Sequence, residues 1–275
     1  MLIENAEKHR NRMLRLDGER GKVVASSRTQ SCVKNTILAR LSVQDLAAIS
    51  SCLEPIVLRA RTVLHEPKRR PEHVYFVEIG LISLRIVAGG SILETALQGH
   101  RGAVGASFLL GGHLPTYQAA VLFPGTALRI QVDDLRRIMD ERPQIQDVIS
   151  TYVQSLALHS AQTGLCAARH TREQRLALWL CLACDALDYH VLPVTHDYLS
   201  TALGLRRAGI TETLIRFEEQ GLIRKSRGVL KVDDHKQLRL KACSCYGAIT
   251  DAYASPEGPG YGKRERDRTC WLATS

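Results

Sequence analysis

No apolar run in this chain of 275 residues approaches the ~18–20 needed to cross a bilayer. The opening residues, MLIENAEKHRNRMLRLDGER, scatter charges throughout and lack the apolar core of roughly 7–15 residues that a secretion signal carries. No Gly-rich phosphate loop precedes a helix, and neither H-E-x-x-H nor G-x-S-x-G occurs. Ser107, shortly after Gly105, lacks the context of a nucleophile elbow. These absences argue against a membrane span, secretion and hydrolytic or phosphoryl chemistry, so a cytoplasmic protein that is not an enzyme is expected. There is no internal repeat. Acidic residues are in deficit, with 28 Asp and Glu against 37 Lys and Arg for a net charge of +9. That balance favours a polyanionic partner, although it also fits a membrane-surface protein. The eight cysteines (32, 52, 166, 181, 184, 243, 245 and 270) are dispersed. Without a secretion signal they are expected to be reduced thiols.

The most informative stretch is VTHDYLSTALGLRRAGITETLIRFEEQGLI, residues 194–223. Thr195 can cap a short helix whose apolar face is Leu199, Ala202 and Leu203. Gly204 can take the left-handed conformation that ends it. A second helix follows Leu205 and Arg206, with Ile210, Leu214 and Phe217 inward. Arg207, Ala208, Thr211, Glu212 and Ile215 lie towards its other side, and Gly221 ends it. Two helices around a tight Gly-containing turn form a helix-turn-helix, whose second helix enters a major groove. The bland alternative is any αα-hairpin. The basic turn Arg224–Gly228 and the strand-like Val229–Val232 add a β-wing and favour DNA. Residues 190–231 hold seven Lys and Arg against four Asp and Glu.

Residues 1–33 read as a flexible basic arm, or as the product of an upstream start codon. Asn35–Cys52 predicts short helices, with a near capping box at Ser42–Asp45. From Ile56 to Ile130 short apolar runs alternate with glycines and prolines, including Gly80 and Pro124-Gly125. That spacing predicts many short strands in a sandwich, barrel or roll, with a hairpin at Gly89-Gly90. Pro143 opens a helix of about 25 residues, or roughly 37 Å, which suits a dimer spine. Thr171–Leu187 is a further helix. The expected fold class is α+β: a β-roll sensor domain over 34–140, a dimerisation helix over 141–168, a winged helix-turn-helix over 169–250 and a disordered tail over 251–275.

That order, with HVYFVEIGLISL (73–84), VGASFLLGG (104–112), REQRLALWL (172–180), the whole of 194–232 and the ending CSCY (243–246), resembles the Crp/Fnr family of bacterial transcription regulators. The resemblance spans about residues 35–250. It implies a homodimer that binds double-stranded DNA through Arg206, Arg207, Ala208, Thr211 and Glu212. Arg207 matches the family's main base-reading arginine, suited to guanine O6 and N7. Ala208 stands where a glutamate is usual and Glu212 where a basic residue is usual, so a different operator is expected. Thr195, Thr211, Lys225 and Arg227 are candidate phosphate contacts. Activation would also need a surface for RNA polymerase, and no residue marks one.

Members of the family that bind cyclic nucleotides carry Gly-Glu and, some ten residues later, Arg-Ser. Here the equivalents are Gly105-Ala106 and about Thr116-Tyr117, and there is no arginine between Arg101 and Arg129. A cyclic phosphate would lack a cationic partner, so cyclic AMP is not expected as the effector. An iron–sulfur cluster would need several thiolates near the N-terminus, where only Cys32 and Cys52 lie. Cys181-x-x-Cys184 falls in an apolar helical run and reads as a buried pair of small hydrophobes. Cys243-x-Cys245 could take part in redox or zinc chemistry only with partners such as His235, at a spacing that matches no finger. No metal or cofactor is therefore expected. His65, His73, His100 and His113 read as scattered surface residues, while His159 and His170 flank the end of the long helix as hinge or ligand candidates. The rival to a DNA regulator is a β-roll adaptor whose helix-turn-helix has lost specific DNA binding.

Overall fold

The computed structural model describes residues 33–111 and 113–254. The basic arm except for Val33, the tail from residue 255 onward, and Gly112, Cys32 and Cys270 lie outside the described residues. Six antiparallel strands form the first sheet: β1 (Glu54–Leu58), β2 (Val63–His65), β3 (His73–Ala88), β4 (Ser91–Gln98), β5 (Ala103–Val104) and β6 (Gln118–Gln131). The order is β1-β6-β3-β4, with β2 also on β6 and β5 also on β3. Glycine and proline at Gly80 and Pro124-Gly125 were expected to separate strands. Instead β3 and β6 run through them, and their mutual register shifts between Val77 and Ile82. The two glycines make that passage possible. A Cβ on Gly125 would come 2.0 Å from the Ile79 carbonyl oxygen, and one on Gly80 (φ +101) would come 2.8 Å from that of Phe123. A punctuating residue here marks a bulge in a long strand, not its end. Gly89 and Gly90, with φ of 57° and 77°, make the expected two-residue hairpin between β3 and β4.

Helices α1 (Thr36–Ala39) and α2 (Val43–Ser50) lead into the roll. Asn35, fully buried, accepts at Oδ1 from the amides of Ile37 and Leu38 and donates from Nδ2 to Val77 and Gly102 carbonyls, each at 2.9 Å. One side chain thereby caps a helix and fastens the chain to the sheet. Helices α3 (Val132–Glu141) and α4 (Pro143–Arg169) close the roll, with Pro143 in the first turn of α4. Phe76, Leu84, Ile130, Leu135, Ile145 and Ile149 belong to the core they share.

The second half contains α5 (Arg172–Leu187), β7 (Val191–Leu192), α6 (His196–Leu203), α7 (Arg207–Glu219), β8 (Ile223–Ser226), β9 (Val229–Val232), α8 (His235–Lys241) and α9 (Cys245–Ala254). Thr171 and Gln174 form a reciprocal capping box at the start of α5. Strand β7 joins the wing in the order β7-β9-β8, a strand too short to register in the sequence pattern. Asp251–Ala254 complete α9 and do not open a tail, because Tyr253 is anchored: its hydroxyl lies 3.2 Å from His159 Nδ1 and accepts from Gln98 Nε2 at 3.4 Å. Leu81, Leu97 and Phe123 of the roll pack into the second core beside Leu176, Leu180, Leu199 and Leu214. Among the described residues no helix is long and apolar enough to cross a membrane.

Candidate nucleic-acid interface

The helix-turn-helix is α6 and α7. Thr195 caps α6 by accepting from the Tyr198 amide at 3.1 Å, and Gly204 ends it with φ of +59°. The amphipathic period of α7 then sorts its residues. Ile210, Thr213, Leu214 and Phe217 are buried, while Arg207, Ala208, Glu212, Ile215 and Arg216 are exposed. Gly209 is buried against α5, where a Cβ would meet the Arg172 guanidinium at 2.4 Å. The first turn of α7 therefore projects Arg207 and Ala208 outward, with Arg206 immediately before it.

Acidic neighbours occupy several of the basic candidates. Arg207 Nε lies 2.7 Å from Asp197 Oδ1, and both side chains are exposed. Lys225 Nζ lies 2.8 Å from Glu218 Oε2, and the Lys225 amide donates to Glu218 Oε1. Those hydrogen bonds hold the Glu218 carboxyl below its usual range. Glu212 pairs with Arg172 at 3.3 Å. Among the described residues neither Arg206 nor Arg227 has an ion pair, and Arg227 stands exposed on the β8–β9 turn beside Gly228. Thr211 Oγ1 donates to the Arg207 carbonyl at 3.1 Å and lies 3.0 Å from His196 Nδ1. Burial lowers the His196 pKa, and the positive charges of Lys225 and Arg207 lower it further. Asp197 opposes them, and the two cations that act on His196 each stand beside their own carboxylate.

Sequence reasoning missed the carboxylate beneath this surface. Glu94 of β4 is buried and accepts from Trp179 Nε1 of α5 and from the Tyr198 hydroxyl of α6. Nothing in its local sequence separates it from an exposed strand glutamate, since its partners are far along the chain.

In the roll, Gly105 takes φ of +89° ahead of a 3-10 turn over Ala106–Leu110. Ala106 is buried, and Ser107 Oγ lies 3.1 Å from the Tyr117 hydroxyl. Thr116 is exposed. Three residues read as scattered surface histidines need correction: His65 is buried with burial lowering its pKa, His73 is half-buried, and His100 is half-buried with Nδ1 3.1 Å from the Ala186 carbonyl. Cys181 and Cys184 are buried in the second core.

Along α4, Gln154, Ala157, Leu158, Ala161, Gly164, Leu165 and Ala168 are exposed. They recur at helical spacing on one face, and Leu158 and Leu165 are 39% and 48% exposed. The opposite face carries Tyr152, Ser155, Leu156 and His159, all buried.

Residues 174–240 match the family model of the Crp-like helix-turn-helix domain. A comparison with curated protein sequences finds no match. Among solved structures, FixK2 from Bradyrhizobium japonicum aligns over 70% of this chain and 98% of its own, at 15% identity and a TM-score of 0.61. A CRP/FNR-family transcriptional regulator from Thermus thermophilus aligns over 69% and 98%, at 22% identity and 0.56. The c-di-GMP responsive regulator CLP of Xanthomonas campestris aligns over 70% and 99%, at 14% identity and 0.56. This likeness establishes the fold: a Crp/Fnr-type regulator fold with a C-terminal helix-turn-helix.

Proposed function

We propose, from a Crp-like helix-turn-helix domain carried on a Crp/Fnr-type fold, that this chain is a homodimeric, sequence-specific and cytoplasmic transcription regulator. The observation that carries the reading is the outward first turn of α7, where Arg206, Arg207 and Ala208 project with no covering segment among the described residues. Arg207 reads a guanine edge, and Ala208 offers only a methyl contact. Thr195, Lys225 and Arg227 position the domain on phosphates. Thr211 and Glu212 border the reading surface.

The exposed stripe on α4 supports the dimer. Leu158 and Leu165 are one heptad apart, and Ala161 and Gly164 between them allow close approach of a second helix. Each protomer then enters one major groove, with half-sites about 34 Å apart. The roll does not take cyclic AMP, because Ala106, Thr116 and Tyr117 supply neither a ribose-binding carboxylate nor a phosphate-binding cation. Calorimetry should detect no heat of binding at micromolar cyclic AMP, and a saturable isotherm there would reverse that statement.

Selection of bound sites from random DNA tests the whole reading. A pseudo-palindromic site with salt-sensitive affinity is expected. The rival reading is an adaptor whose helix-turn-helix has lost specific DNA binding, in which Arg207 and Lys225 stay with their acidic partners. Failure to retain any sequence, even at low salt, would leave it standing.

A further inference from the structure

Outside the DNA-binding surface, four side chains with metal-ligating atoms converge. Cys166, His170, Cys243 and Cys245 each place one such atom within 4.8 Å of all the others. Cys166 Sγ lies 3.5 Å from Cys243 Sγ, across 77 positions of sequence. Cys245 Sγ lies 3.5 Å from His170 Nδ1. All three cysteines are buried and the histidine is half-buried.

The elements explain the convergence. Cys166 is in the last turn of α4 and His170 is the cap residue after it, so an i, i+4 spacing puts both on one side of the helix end. Cys243 follows the cap of α8, and Cys245 opens α9. The turn between those helices aims both sulfurs at the end of α4. Leu178, Leu182, Tyr246 and Ile249 pack around the group, which limits access of water. His235, named from the sequence as an example of a partner despite a spacing that matches no finger, lies elsewhere, with Nε2 3.1 Å from Asp185.

We propose that these four residues bind one Zn²⁺ ion in a tetrahedral Cys3His site that fastens the end of α4 to the α8–α9 turn. A Zn–S bond of about 2.3 Å sets tetrahedral ligand atoms about 3.8 Å apart, close to the separations present. Three sulfurs and an imidazole select zinc over oxygen-seeking magnesium or calcium. The packing of the ligand atoms suits a single ion, because a cluster spreads its ligands around several irons. Four protein ligands leave no open position, so the site is structural and not catalytic. It joins the helix that closes the roll to the last helix of the DNA-binding half, across the α4–α5 turn.

The test uses the full chain, expressed with added zinc and desalted. Elemental analysis should give about one zinc per chain. Exchange for cobalt should give thiolate-to-cobalt charge-transfer absorption and the intense visible bands of a tetrahedral ion. Cys243→Ser should lower zinc content by about tenfold or more, since even losing a partner behind a ligand costs 10–100-fold in affinity. Cys52→Ser, remote from the cluster, should leave the zinc content unchanged. Should Cys243→Ser fail to fold, His170→Gln, which keeps the three thiolates, should shift the cobalt bands. Folded wild-type protein that retains neither zinc nor cobalt would overturn the proposal. So would metal content indifferent to both Cys243→Ser and His170→Gln, or a Cys166–Cys243 disulfide in protein prepared anaerobically with zinc.

Discussion

The indole N–H of Trp179 donates to Glu94 Oε1 at 2.5 Å. The other Glu94 oxygen accepts from the Tyr198 hydroxyl at 2.6 Å, so one carboxylate of the roll holds two helices of the DNA-binding half. Burial raises the Glu94 pKa, and hydrogen bonds from Ser83, Tyr198 and Trp179 oppose that rise. Glu94→Ala strands two buried donors and should cost about 2–4 kcal/mol. Glu94→Gln should cost less, because its amide oxygen can still accept from Trp179. Urea unfolding measures both, and an alanine variant as stable as wild type would show that the carboxylate contributes no net hold.

Arg207 is tied to Asp197 by an ion pair with both side chains about two-thirds or more exposed. Such pairs contribute little, so DNA can claim the guanidinium at low cost. Arg207→Ala should relax specificity at one base pair per half-site by about 1–3 kcal/mol. Site selection with the variant decides it: equal weakening on every sequence would make Arg207 a phosphate contact.

Lys225 and Arg227 sit on the same wing in different circumstances. Lys225 is held by Glu218, whereas Arg227 has no ion pair among the described residues. Both substitutions to alanine should weaken binding evenly across sequences. Arg227→Ala should lower the slope of log affinity against log salt by about 1, and Lys225→Ala by less. Titrations over a range of salt give the slopes, and the reverse order would show that Glu218 releases its lysine on binding.

The α4 stripe makes a prediction about assembly. Leu158→Asp combined with Leu165→Asp puts two charges into an apolar seam and should halve the mass in sedimentation. Binding to a two-half-site DNA should fall with it. An unchanged sedimentation mass would move the dimer contact elsewhere.

His159 gives a pH dependence. It is 4% exposed, and burial lowers its pKa to about 4. The unfolded chain therefore binds this proton first as pH falls. Stability should drop from about pH 6.5 downward and level off near pH 4, by on the order of 3 kcal/mol in all. Glu94 works in the opposite direction, because a raised folded pKa favours the protonated folded form and loses stability as pH rises. The difference between wild type and His159→Gln isolates the histidine, and a difference that is flat with pH would mean that His159 does not titrate on unfolding.

The sequence by itself determined the succession of a strand-rich part, a long helix and a helix-turn-helix, and the faces of the main helices. Thr195, Gly204 and the 3.6-residue period over Ile210, Leu214 and Phe217 are local signals, set by backbone capping and by which side chains must leave water. Gly89-Gly90 is local in the same sense. Gly80 and Gly125 were not legible, because a glycine that ends a strand and one that lets two strands cross closely look alike until the second strand is in place.

Only the tertiary structure decided what each buried face meets. Glu94 became an anchor because Trp179 and Tyr198 were brought to it. Arg207 acquired Asp197 from the preceding helix, and His159 acquired Tyr253 from the last one. Cys166, His170, Cys243 and Cys245 are two ordinary pairs until the end of α4 and the α8–α9 turn come together. Periodicity reports that a side chain is covered but carries no information about its cover. Hydrogen bonds and metal coordination act over a few ångströms, between groups that the fold alone brings within reach.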